Sequence, residues 1–298
     1  MTASIYMPDQ ADISQDDLAE MLASQAAAID VVRGALKEIA TGASLMADAV
    51  RCGATLHYAA AGSSGLMALA DASELTGTFG ISQAQIAAHM AGGAPINGVM
   101  PGDTEDSTED ARRDAAAITE TDVAIVVSAS GTTPYALAFA ETAQARGAKV
   151  IGIANKPGSA LLLSADVAIT LPTAPEYIEG STRLGAGTAQ KVSLNMMSTQ
   201  MGILLGHVHD RMMVNLKPDN IKLRKRAADI VCRIAGVSDG DAERALEQTG
   251  YNTKAATLVA RGASVERALF LLHQHNGMLS ACLLNEDGPN SARTQNQL

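Results

Sequence analysis

Two short stretches place hydroxyl side chains where the chain must turn. "SASGTTP", from Ser128 to Pro134, brings Ser128, Ser130, Thr132 and Thr133 around Gly131. Gly131 lets the backbone turn without a Cβ clash. Hydroxyls and free amides at a helix start favour an anion. "GSSG" supplies Ser63 and Ser64 in a second such turn, after the apolar run "AAA". For one turn alone, N-capping by Ser130 or Thr132 explains the composition equally well. Two turns of this kind on one edge point instead to a phosphate ester. The nucleotide P-loop is excluded, because the Gly-Lys-Ser/Thr ending is missing. Ten residues after Ser64 stands a carboxylate, Glu74.

The elements that must hold these turns are legible in the periodicity. Asp16 to about Val50 reads as helix, with Leu18, Met21, Leu22, Ile29 and Val32 on one face and a second run starting at Gly34. Four short apolar runs follow: "ATLHYAAAG", "DVAIVVSASG", "AKVIGIANKPGS" and "DVAITLP". They read as buried strands, with helical stretches such as "PYALAFAETAQARG" between them. Strands alternating with helices imply a doubly wound parallel α/β sheet. Ligands of such sheets sit beyond the carboxyl ends of the strands, where both hydroxyl turns fall. Pro172 to Gly187 reads as a loop, followed by a long helix on which Thr188, Lys191 and Asn195 form a polar stripe. Lys217-Pro218-Asp219 marks a boundary, and beyond it come short helices separated by Gly236, Gly250 and Gly262. The expected organisation is a helical segment over 1–50, the α/β domain over 51–216, a helical appendage over 217–284 and a disordered tail over 285–298.

Composition narrows the function classes. The 298 residues carry a net charge of −10, which argues against a nucleic-acid partner. The polar, acidic opening reads as neither signal nor transit peptide, and no apolar run has the roughly 18 residues of a membrane span. Cys52, Cys232 and Cys282 are scattered and read as reduced, mostly buried thiols of a cytoplasmic protein. His207/His209 and His273/His275 point to different faces and make no metal site, while His57 and His89 read as lone structural residues. The methionines near Met196, Met197 and Met201 read as core or interface, and "KLRKR" as a solvated face.

"SASGTT" resembles the phosphate loop of the sugar isomerase (SIS) domain. "GSSGLMALADASE", "TFG", "AGG", "TEDS", "SASGTTPYAL" and "EGSTRLGAGTAQKVSLNMMSTQMGILLG" are similar, in order and spacing, to one SIS family, the N-acetylmuramic acid 6-phosphate etherases. A eukaryotic relative of that family is the glucokinase regulatory protein. The resemblance runs from about Asp16 to Leu284, and its C-terminal helices match a small ubiquitin-associated-like bundle. It implies a lyase without metal or other cofactor. Such a lyase cleaves the D-lactyl ether of N-acetylmuramic acid 6-phosphate to N-acetylglucosamine 6-phosphate and D-lactate, by elimination and then hydration. The family's two acid/base carboxylates match Glu74 and Glu105. Without the resemblance both read as solvated helix residues. It also implies substrate contacts for Ser63, Ser64, Ser128, Ser130, Gly131, Thr132 and Thr133. Glu179 matches the acid/base position of sugar isomerases and is assigned to sugar contact, with Ser181, Thr182 and Lys191. The chain departs from the family at Leu66, where an Arg is usual, and at Gly185, where a Lys is usual.

Ten helical residues rise about 15 Å, longer than a hexose phosphate. Either the helix after "GSSG" ends near Asp71-Ala72-Ser73, or Glu74 serves a neighbouring subunit's site. SIS domains commonly pair, so a homodimer with a shared active site is expected. Two other readings remain at this point: an aldose–ketose phosphosugar isomerase, and a non-catalytic sugar-phosphate sensor.

Overall fold

The computed structural model describes residues 15–286. The readings of residues 1–14 as lacking a leader and of 287–298 as a tail lie outside the described residues. Five parallel strands form one sheet: β1 (Leu56–Ala60), β2 (Ile86–Met90), β3 (Val123–Val127), β4 (Lys149–Ala154) and β5 (Val167–Thr170). Their order is β2-β1-β3-β4-β5. Four of them are the apolar runs predicted from the sequence. The fifth, β2, lies in "IAAHM" on the sheet edge, where its residues are only partly covered. A strand only partly covered lacks the continuous run of Val and Ile that marks a central parallel strand.

The helices form layers on both faces. On one face α2 (Leu36–Arg51), α3 (Gly62–Phe79) and α7 (Gly185–Leu204) enclose a core with Leu56, Tyr58, Ile125, Ile151 and Ile169. On the other, α4 (Thr108–Asp114), α5 (Pro134–Ala145) and α6 (Ala160–Ser164) pack on Ala59, Ala124, Val126 and Val150. The alternation of side chains along each strand divides β1 and β3 between the two cores. A third core holds α8 (Ile221–Ala235), α9 (Asp239–Gln248), α10 (Thr253–Ala260), α11 (Val265–Gln274) and α12 (Leu279–Glu286), together with Val214 and Leu216.

The first helix departs from expectation. α1 spans Gln15–Asp30 and a 3₁₀ turn, Val31–Ala35, separates it from α2. Leu18, Leu22 and Ile29 of the predicted inner face are exposed, Leu22 at 71 %. The helix instead buries Ala28. It packs along α7 and not on the sheet, so Leu18, Leu22 and Ile29 find no cover. The thiols also differ from the reading: none forms a disulfide among the described residues, but only Cys282 is buried and Cys52 is exposed. Met197 and Met201 enter the core, while Met196 faces outward.

Candidate active site

β1 and β3 are neighbours, with Ala60 opposite Val127 at their carboxyl ends. From there the chain leaves in opposite directions. β1 feeds α3 on one face and leads to β2; β3 feeds α5 on the other and leads to β4. This is the topological switch point, where a crevice opens between two diverging helix starts. The two hydroxyl turns are therefore adjacent.

"GSSG" is the first turn of α3 itself, since the helix begins at Gly62 behind the extended Ala61. Ser64 is buried and Ser63 half-buried. The first amides of a helix have no intrahelical acceptor and are free for an anion. In the second turn no side chain caps α5, whose N-cap residue is Thr133. The capping reading of Ser130 or Thr132 therefore fails, and the hydroxyls bond within the loop. Ser128 Oγ accepts from the Gly131 amide at 3.0 Å and lies 2.9 Å from Thr133 Oγ1. Ser130 Oγ accepts from the Thr132 amide at 3.2 Å. Gly131 adopts φ +63°, and a Cβ there would come within 2.5 Å of Ser159 Cβ. The Gly131 carbonyl accepts from Leu161 N, and Asn155 N donates to the Ala129 carbonyl, so β4 and α6 hold the loop rigid.

Glu105 completes this edge. Its carbonyl accepts from Tyr135 N at 3.0 Å, at the start of α5. Its carboxylate lies over the start of α3: a Cβ added to Gly62, at φ +56°, would meet Glu105 Oε1 at 2.5 Å. One residue thus bridges both helix starts. A cavity of about 400 Å³ lies alongside, lined by Gly65, His89, Gly92, Asp110, Arg113 and Asp114 among others.

Glu74 is elsewhere. α3 runs unbroken from Gly62 to Phe79, so Glu74 lies exposed about 15 Å along the helix from Ser64. The alternative in which the helix ends near Asp71 is excluded. Glu179 and Thr182 are exposed and Ser181 half-buried, in the loop before α7. None of these bonds to the hydroxyl turns. Lys191 is exposed on α7 and donates to Asn195 Oδ1. The polar stripe on α7 finds its partners within the chain: Thr188 with Gln25, and Asn195 with Asp71.

Sequence reasoning missed three groups. Glu176 caps α7 from nine residues upstream, accepting from Gly185 N at 2.8 Å and Ala186 N at 2.9 Å. Capping signals sit next to a helix start, so this one left none. Asp71 is 3 % exposed and accepts from Tyr58, Asn195 and Ser198. Burial raises its pKa, and the three hydrogen bonds with Lys191 nearby draw it back. His57 and His89, read as lone residues, bond to each other across β1 and β2 at 3.1 Å. Burial lowers the pKa of both, that of His89 to about 4. Among the described residues no group of three or more His, Cys, Asp or Glu could hold a metal ion.

Comparison with known proteins shows the family and the fold. The SIS domain profile matches residues 96–202. N-acetylmuramic acid 6-phosphate etherases of Yersinia pestis and Yersinia pseudotuberculosis are 38 % identical over 264 residues, covering 85 % of this chain and 87 % of theirs. The chain belongs to the N-acetylmuramic acid 6-phosphate etherase family. Solved structures share the fold at lower identity. A Listeria monocytogenes protein described as a sugar-phosphate isomerase superposes with TM-score 0.50 at 15 % identity, over 63 % of this chain and 88 % of its own. An Escherichia coli CFT073 protein, solved as a complex, gives 0.50 at 17 %, over 67 % and 97 %. The etherase family membership and the fold thus meet on one α/β scaffold. Among the described residues no helix is long and apolar enough to cross a membrane.

Proposed function

We propose that this chain is a phosphosugar etherase. It cleaves the D-lactyl ether of N-acetylmuramic acid 6-phosphate, giving N-acetylglucosamine 6-phosphate and D-lactate. The observation that carries the reading is Glu105, a carboxylate between two hydroxyl-lined helix starts in a chain of this family. The turns of Ser63–Ser64 and Ser128–Thr133 hold the phosphate. Glu179, Ser181, Thr182 and Lys191 belong to the sugar-binding surface.

The chemistry needs one base and one acid. In the open-chain sugar the aldehyde at carbon 1 acidifies carbon 2. A carboxylate removes the carbon 2 proton, the electron pair forms the carbon 2–carbon 3 double bond, and the carbon 3–oxygen bond breaks. The departing lactate oxygen takes a proton from the second carboxyl group. Water then adds its oxygen to carbon 3 and a proton returns to carbon 2. Glu74 and Glu105 are the pair. Because they are far apart in one chain, a second copy brings its Glu74 to this chain's Glu105. The support is that Ala70, Ser73 and Glu74 of α3 and Met196 and Ile203 of the adjoining α7 are all exposed. The reaction fits amino-sugar metabolism and peptidoglycan recycling, and we assign it to the cytoplasm.

The test is lactate release from N-acetylmuramic acid 6-phosphate, with Glu105→Gln as control. Lactate from the wild type and none from the variant is expected. Isomerised fructose or glucosamine phosphate without lactate, or binding without turnover, overturns the reading.

A further inference from the structure

The first half of α3 meets the sheet core through small residues, and its end buries Leu75 and Phe79. Ala68 and Ala72 face that core, and Gly65 lies against Met90. Small side chains let a helix approach closely but interlock weakly, so this half of α3 gains little directional hold from packing, in contrast to Leu75 and Phe79 at its end. Asp71 interrupts this surface. Its Oδ2 accepts from Tyr58 Oη at 2.9 Å, on β1. Its Oδ1 accepts from Asn195 Nδ2 at 2.8 Å and Ser198 Oγ at 2.9 Å, both on α7. Asn195 Oδ1 in turn accepts from Lys191. One buried carboxylate therefore ties α3 directionally to the sheet and to α7. An isolated buried charge is costly and is tolerated here only through these partners. Glu74 follows three residues later, one turn along the same helix, and none of the hydrogen bonds or ion pairs of the described residues that fix a side chain in place involves it. Where Glu74 stands is decided by where α3 stands.

We propose that Asp71 is a positioning residue for the ether cleavage: its bonds to Tyr58, Asn195 and Ser198 set the height and rotation of α3 and so deliver Glu74 in register. The inference rests on the reading of Glu74 as a catalytic carboxylate. The phosphate-holding turn of α3 follows directly on β1 and is anchored by that strand, and the other turn precedes α5, so loss of this tie acts more on turnover than on substrate capture.

The experiment measures kcat and KM for lactate release in the full chain carrying Asp71→Asn, Tyr58→Phe or Ser198→Ala, beside Glu74→Gln. Asp71→Asn is expected to lower kcat by about tenfold to a hundredfold, as misplacement of a catalytic group does. KM stays within about threefold, the signature of an interaction expressed in the transition state. Tyr58→Phe and Ser198→Ala keep the carboxylate and lose less, and they carry the test if Asp71→Asn does not fold. Combined with Glu74→Asp, Asp71→Asn is expected to cost less than the product of the separate losses, because both act through one side chain's position. Losses that multiply, or wild-type kcat in all three variants while Glu74→Gln is inactive, overturn the positioning role alone. Full activity of Glu74→Gln overturns the reading of Glu74 beneath it.

Discussion

Two inactive variants are expected to restore each other. In one chain Glu74 and the Glu105 edge are separated by about ten residues of continuous helix, some 15 Å, so one sugar cannot touch both. If a twofold dimer supplies the missing partner, each site takes Glu105 from one copy and Glu74 from the other. Glu74→Gln and Glu105→Gln homodimers then lose a catalytic carboxylate in both sites, with turnover down by about 10²- to 10⁴-fold. A heterodimer of the two variants regains one intact site and keeps one doubly damaged site. Purified through two different tags after co-expression, it should show about half the wild-type lactate release per dimer. Random mixing of the two proteins gives about a quarter, since about half the dimers are mixed. The assay is lactate release, with subunit exchange checked by co-purification of the tags. Exchange without recovered activity would refute the shared site, and so would a monomer that turns over substrate in sedimentation equilibrium.

Gly62→Ala is expected to lower kcat by about tenfold or more, because its Cβ would meet Glu105 Oε1 at 2.5 Å and push the carboxylate away. The φ of +56° adds a stability cost of about 1–2 kcal/mol. Gly53→Ala, at φ +79° with nothing within 4 Å, is the control that pays the strain and keeps kcat; equal kcat in both would sink the argument. Stability should fall as pH drops from about 6.5 towards 4. Burial holds His89 and His207 to about 4 in the fold, so over this window the unfolded chain binds protons that the folded chain refuses. The stability present above the unfolded pKa is thereby lost, by up to about 3 kcal/mol for each group. Melting temperatures from pH 7 to 4.5 measure it; His89→Asn should flatten the fall, and a flat wild-type curve would contradict it.

Four of the five strands, the alternation with helices and the hydroxyl turns were legible along the chain, because each is a local pattern of apolar runs and turn residues. β2 was not legible, since an edge strand in "IAAHM" is only partly covered and carries Ala and His where a central strand carries Val and Ile. The apolar face of α1 misled, because periodicity reports that a stripe exists and not whether anything covers it. Leu18 and Leu22 keep the helical spacing and stay exposed.

By itself the sequence marked out the hydroxyl turns, Ser128, Ser130 and Gly131 in one and Ser63 and Ser64 in another, while Glu74 and Glu105 stood out only through the family resemblance. The residue types and short spacings of the turns are properties of local backbone and need no partner. Only the tertiary structure decided which of them meet. The strand order makes β1 and β3 neighbours, and that adjacency joins the two turns with Glu105 across the switch point. The unbroken length of α3 sends Glu74 away from them. Asp71 and Glu176 reach their partners over 124 and nine residues, a range at which a chain's own spacing carries no signal. Contacts between distant segments are fixed by how helices stack on a twisted sheet, and that packing follows from all the residues at once.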